Sequence, residues 1–197
     1  MITVVSGLPR SGTSVMMQML AAGGLPMLTD GIRAADENNP RGYYEWEPAR
    51  RLAHEPGRVA EAEGKAVKII SSLLLSLPGD RSYRVVFMRR PLDEVVASQA
   101  AMIKRLEAKG AGLPPAAMKT ALEAHLRQVD SWLARQLHIQ VCPVEYRKLL
   151  DEARNQAARV AQFLGADLDI DAMARQVDRS LHHSVGQAGQ AVSPTPH

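Results

Sequence analysis

Cysteine occurs once in 197 residues, as Cys142, which excludes an internal disulfide and any zinc cluster built from cysteines. Aromatic residues are 4% of the chain, too sparse for the stacked platforms that hold single-stranded nucleic acid. No apolar run approaches the about 18 residues that a membrane span needs. Met1 to Leu8 is apolar but has neither a basic lead nor a small-residue cleavage site, so it is not read as a signal peptide, and the expected location is the cytoplasm. There is no internal repeat. What remains is the composition of a globular protein, 46% hydrophobic and 23% charged, at a length that favours one domain. The net charge of +3 and the pI near 9.2 come from bases interleaved with acids, as in Asp151-Glu152-Ala153-Arg154. That pattern reads as solvated helix faces plus a cleft for an anionic ligand, and not as a nucleic-acid surface.

Apolar runs of strand length lie at Ile2 to Val5, Ala66 to Ile70, Tyr83 to Met88 and Ile139 to Val144, the last containing Cys142 as a buried strand residue. Helical spacing covers Val15 to Ala22, Leu92 to Ala108, Pro115 to Gln136 and Asp151 to Leu164. Met16, Met17 and Met19 on the first of these are expected to fill core. Alternation of apolar strands with helices predicts an α/β fold of three layers, a central parallel sheet flanked by helices, of the P-loop type. Ligands in such sheets bind beyond the carboxyl ends of the strands. Leu25 to Trp46, with Gly31, Pro40 and Gly42, reads as a lid or acceptor loop. Residues 1–183 are expected to form the domain, and the polar tail 184–197 to be disordered. His182-His183 lacks acids or cysteines at ligand spacing, so no metal site is expected.

The densest signal is Gly7-Leu8-Pro9-Arg10-Ser11-Gly12-Thr13-Ser14, where a strand breaks into a glycine-framed loop and enters a helix. The spacing is that of G-x-x-x-x-G-K-S/T, a loop whose backbone N–H groups cradle phosphate at a helix start. The lysine of that pattern is absent: Thr13 holds its place and Arg10 is the cation inside the loop. No strand ends in the apolar-run-plus-Asp pattern that holds Mg²⁺ in P-loop nucleotidases.

Pro9-Arg10-Ser11-Gly12-Thr13-Ser14 resembles the first loop of the PAPS-dependent sulfotransferases (PAPS, 3′-phosphoadenosine 5′-phosphosulfate), which runs P-K/R-S/T-G-T-T/S. Arg84 to Ser98 is similar to their 3′-phosphate motif, a strand ending in arginine with a serine about eight positions on. Aligning on Pro91 makes Arg89 that arginine; the spacing to Ser98 favours Arg90. Val144-Glu145-Tyr146-Arg147-Lys148-Leu149-Leu150 followed by Ala161-Gln162-Phe163-Leu164-Gly165 is a further, weaker echo. The resemblance implies a transferase that moves a sulfonate from PAPS to a hydroxyl or amine of a small-molecule or peptide acceptor, leaving adenosine 3′,5′-bisphosphate. It implies Pro9, Arg10, Ser11, Gly12, Thr13 and Ser14 around the 5′-phosphate, Arg89 or Arg90 with Ser98 on the 3′-phosphate, and Arg10 and Lys68 as cations near the transferred group. The histidine that some relatives carry just after the strand lysine is missing, since Ile69, Ile70 and Ser71 follow Lys68. Other branches use a loop glutamate, which points to Asp36, Glu37, Glu45 or Glu47 as acceptor base, with Glu37 the first choice. The competing readings are a P-loop kinase for a small metabolite or nucleotide, and a nucleotide-binding module without catalysis.

Overall fold

The computed structural model describes residues 1–31, 42–105 and 113–178. Strand β1 (Ile2–Gly7) lies at the centre of a five-stranded, all-parallel sheet with β2 (Met27–Leu28), β3 (Ala66–Lys68), β4 (Tyr83–Arg89) and β5 (Ile139–Glu145), in the order β2-β3-β1-β4-β5. The helices are α1 (Thr13–Ala22), α2 (Ser71–Leu74), α3 (Leu92–Arg105), α4 (Pro115–Leu133), α5 (Tyr146–Asp151), α6 (Ala153–Leu164) and α7 (Ile170–Ala174), with two 3₁₀ stretches at Glu47–Arg51 and Pro56–Ala62. The fold is therefore the three-layer α/β sandwich expected from the sequence.

Side chains of successive strand residues leave opposite faces of the sheet, and each face here is covered. Val5, Val86, Cys142 and Val144 pack with Met16, Met17 and Met19 of α1 and with Val160 and Leu164 of α6. Ile2, Val4, Val85 and Phe87 pack on the other face with Trp46, Leu74, Val129 and Leu133. Double coverage explains why β1 is buried at all six positions, Thr3 and Ser6 included. Fully buried aliphatic side chains such as Ile2 and Val4 contribute about 1.5–3 kcal/mol each.

The differences from the expected elements have local causes. The two-residue β2 falls inside the stretch read as loop; it pairs Met27 with Ala66 and Leu28 with Val67, a rung count too small to leave a periodic signal. The helix expected over Asp151 to Leu164 starts two residues later, at Ala153, because Glu152 adopts φ −130°, ψ 45° and separates it from α5, which ends at Asp151. Helix α4 stops at Leu133, and Arg135 and Gln136 tighten into bonds to Trp132 and Leu133, three residues back. Among the described residues no helix is long and apolar enough to cross a membrane. The tail 184–197 lies outside the described residues.

Candidate functional site

Three strand exits meet at the carboxyl edge of the sheet. Central β1 exits into the glycine loop, β3 exits into Ile69 and α2, and β4 exits into Arg90 and α3. In register, Val5 stands beside Lys68 and Gly7 beside Met88. The topology thus puts the sequence-predicted cations on the three adjacent strands at one edge.

The loop is shaped by close packing. A Cβ on Gly12, at φ 101°, would come 2.5 Å from Cδ2 of Tyr146, and one on Gly7 would come 2.5 Å from Oγ of Ser11; neither position admits a side chain. Gly12 is also the left-handed start of α1, with no side-chain cap. The first bond of α1 runs from Met16 N–H to the Gly12 carbonyl, so the amides of Gly12, Thr13, Ser14 and Val15 precede the helical ladder. The Ser11 N–H, expected among the phosphate donors, is instead given to the Leu8 carbonyl at 3.1 Å. Its hydroxyl is buried and has no hydrogen-bond partner.

Arg10 has φ 70°, a left-handed conformation that costs a non-glycine residue about 1–3 kcal/mol. It is held at both ends. Its Nε donates to Ser98 Oγ at 3.0 Å, and its carbonyl accepts from Arg90 Nη1 at 3.0 Å. Ser98 is 4% exposed, as the apolar spacing of α3 required.

The two adjacent arginines separate by face. Arg90, with its side chain 7% exposed, donates from Nε to Glu94 at 2.9 Å and lies over the Tyr146 ring at 4.6 Å. Its Nη2 is buried without a partner. Arg89 is 31% exposed, pairs with Asp130 of α4 and lies over Phe87. Buried Glu94 also accepts from Arg147 Nε at 2.6 Å. Burial pushes the Glu94 carboxyl up, but hydrogen bonds and charge from Arg90 and Arg147 outweigh it and hold its pKa below the ordinary value. One carboxylate against two guanidinium groups leaves a positive excess beside the loop, before Arg10 is counted. Burial raises the pKa of the Tyr146 phenol, with the nearby Arg90 charge opposing.

Lys68 is 8% exposed. Its Nζ donates to the Tyr43 carbonyl and stands 3.8 Å from Glu45 Oε1. Glu45 belongs to the root of the loop that the sequence marked as a lid: the Glu45 carbonyl accepts from Asp30 N–H at 3.1 Å and from Thr29 Oγ1 at 3.0 Å. The Asp30 carboxylate accepts from Glu47 N–H at 2.5 Å. Tyr44, at φ 53°, is left-handed like Arg10. These turns border an open pocket of about 210 Å³ that includes Lys68, Glu45 and Trp46 in its wall. Asp36 and Glu37 lie outside the described residues.

One contact was missed by sequence reasoning. Ser71, at the start of α2, lies 2.8 Å from Nε2 of His125 on α4. A separation of 54 positions hides the pair; the available signal was that His125 sits one turn before Val129, a buried position of α4.

The chain shares its fold with the sulfotransferase domain from the curacin biosynthetic pathway. That alignment has a TM-score of 0.53 at 13% identity and covers 95% of this chain and 80% of the domain. A sugar kinase from a Janibacter species aligns with a TM-score of 0.41 at 16% identity, over 86% of this chain and 96% of the kinase. Retinol dehydratase in complex with androsterone and the inactive cofactor PAP aligns with a TM-score of 0.47 at 16% identity, over 89% of this chain and 62% of the dehydratase. No protein-family model and no curated protein sequence matches the chain.

Proposed function

We propose that the chain is a sulfotransferase that moves a sulfonate from PAPS to an acceptor. The observation that carries this reading is a pair of buried donors without partners, Arg90 Nη2 and Ser11 Oγ, beside an uncapped helix start. Leaving such a donor buried and unmet costs about 1–3 kcal/mol, more for a charged group. Anionic oxygens are the chemistry that meets such donors, and the start of α1 favours the same charge. PAPS has the chemistry to fit, since it carries a 3′-phosphate and a 5′-phosphosulfate and supplies the sulfonate when bound.

In this assignment the amides of Gly12, Thr13 and Ser14, with the Ser11, Thr13 and Ser14 hydroxyls, hold the 5′ side, and Pro9 shapes the loop around it. Arg90, with Ser98, holds the 3′-phosphate; Arg89, engaged by Asp130, is the lesser candidate. Ser98 Oγ accepts from Arg10 Nε and still has its O–H to donate to a phosphate; Arg10 and Lys68 are the cations assigned to charge that grows on the leaving oxygen. Glu37, the first choice for acceptor base, lies outside the described residues; of the other candidates, Glu45 stands 3.8 Å from Lys68 Nζ and Glu47 lines the same pocket, which supports a base from this loop.

Calorimetric titration of the full chain with adenosine 3′,5′-bisphosphate, AMP and ATP with Mg²⁺ tests the reading. The bisphosphate is expected to bind without metal and AMP about ten- to a hundredfold more weakly, because charge-assisted bonds to the 3′-phosphate are worth about 1.5–3 kcal/mol each. Arg90→Ala should erase the difference. Equal affinity for both nucleotides overturns the 3′-site. Metal-dependent ATP binding without bisphosphate binding favours the kinase, and bisphosphate binding without PAPS turnover favours the non-catalytic module.

A further inference from the structure

Strand β5 ends beside β4, with Glu145 in register with Arg89, so the residues that follow the two exits, Arg90 on one and Tyr146-Arg147 on the other, meet at the carboxyl edge. Glu94 ties them together. Its Oε2 accepts from Arg90 Nε at 2.9 Å, and its Oε1 accepts from Arg147 Nε at 2.6 Å with Arg147 Nη2 at 2.5 Å. A guanidinium is planar and carries five donors in a fixed fork, so holding one edge fixes where the other edge points. Arg147 spends its Nε and Nη2 edge on Glu94, and among the described residues its Nη1 meets no acceptor. Arg90 spends Nε on Glu94 and Nη1 on the Arg10 carbonyl, which leaves the buried Nη2. Two like charges are thus held on the two oxygens of one carboxylate, each with donors left over. The Arg147 side chain is 67% exposed and that of Glu94 11% exposed. An exposed guanidinium gains little stability from an ion pair; what the pairing does fix is the direction of its open edge.

We propose that Arg147 is a second guanidinium of the 3′-phosphate site, meeting the phosphate through its Nη1 edge while Arg90 meets it through Nη2. The assignment rests on the sulfotransferase reading. A phosphate monoester carries a charge of about −2 near neutral pH. The Glu94 carboxylate with Arg90, Arg147 and Arg10, whose carbonyl Arg90 holds, sums to +2. A dianion is therefore matched, whereas a carboxylate or a sulfate ester, with one charge, is not. Forked arginine contacts also add geometric selection for a phosphate over a point charge.

Phosphorus NMR on the full chain with adenosine 3′,5′-bisphosphate bound tests the contact, because the two phosphates resonate separately and the 5′-phosphate serves as an internal reference. In the wild type the 3′ resonance should titrate below the free value of about 6. Arg147→Ala should move that midpoint up by about one unit, the effect of losing a nearby opposite charge, and leave the 5′ midpoint in place. Glu94, held below the ordinary carboxylate value, and Tyr146, pushed up by burial, do not titrate in that window, and the guanidinium groups stay charged. Calorimetry on Arg147→Ala should find the bisphosphate about tenfold weaker and AMP unchanged. Arg147→Lys, which keeps the charge and a pairing with Glu94 but has no second edge, should recover only part of the loss. Equal weakening of bisphosphate and AMP, an unmoved 3′ midpoint, or full recovery with lysine each overturns the role of Arg147. The wild-type comparison stands apart from these: a bisphosphate that binds no better than AMP sinks the sulfotransferase reading, and the Arg147 assignment goes with it.

Discussion

At the scale of single residues, the site is organised by groups whose local cost only their surroundings explain. Arg10 pays for its left-handed backbone, and Arg90 and Ser11 keep buried donors unmet; such features persist where neighbouring structure over-determines them. Glu94 is the counterweight. Its carboxylate joins Arg90 to Arg147, and its pKa is held below 4.5. A depressed folded-state pKa gives stability that is fully present above the unfolded value and is lost as pH falls through the folded one. Glu94→Gln should therefore destabilise the protein by about 1.5–3 kcal/mol near neutral pH, the usual worth of bonds between charged groups. The gap to wild type should close below the carboxylate range. Urea unfolding across pH reads this directly, and a gap that persists in strong acid would show that Glu94 acts through packing and not through charge. The sequence made the arginine pair visible but not its division of labour. Arg89 and Arg90 differ in which face they leave, and their partners Asp130 and Glu94 lie 41 and 4 positions away.

At the scale of elements, α4 braces the strand exits on either side of the glycine loop. Lys119 donates to Asp93 at 2.8 Å, Asp130 pairs with Arg89, and His125 meets Ser71 at 2.8 Å. The first two hold the β4–α3 corner and the third holds the start of α2, whose neighbours Ile70 and Leu73 line the pocket beside Lys68. Ser71→Ala and His125→Ala should each cost about 0.5–1.5 kcal/mol, and the double variant should cost less than their sum, since one bond is lost once. Bisphosphate affinity should stay at wild type while acceptor KM rises. Full additivity in a double-mutant cycle would mean that the 2.8 Å contact carries no coupling. Such braces are poorly legible in a sequence because nothing local marks them. The central strands are the opposite case: β1 and β4 are legible because both sheet faces are covered and their middle residues are all buried, whereas β5, at the edge, alternates buried and exposed positions and β2 has only two residues.

At the scale of the whole molecule, the proposed ligand contacts come from β1 and α1 through the loop, from β4 and α3 through Arg90 and Ser98, and from β3 through Lys68. Tyr146 of α5 supports them by packing on Gly12 and Arg90. Parallel strands paired through every neighbour in the order β2-β3-β1-β4-β5 make these contacts part of one core, so a ligand that binds here should stabilise the global fold and not only a loop. Binding to the native state alone adds about 2.7 kcal/mol at a ligand concentration of 100 times Kd. For a chain of this size each kcal/mol moves the melting temperature by about 2–4 °C, so adenosine 3′,5′-bisphosphate at that excess should raise Tm by about 5–10 °C in a single transition. AMP at the same concentration should give a clearly smaller rise, because the contacts from Arg90 and Ser98 go unused. Scanning calorimetry with each nucleotide separates the cases: equal shifts would remove the 3′-phosphate from the account, and a split transition would mean that the loop edge and the sheet do not unfold together.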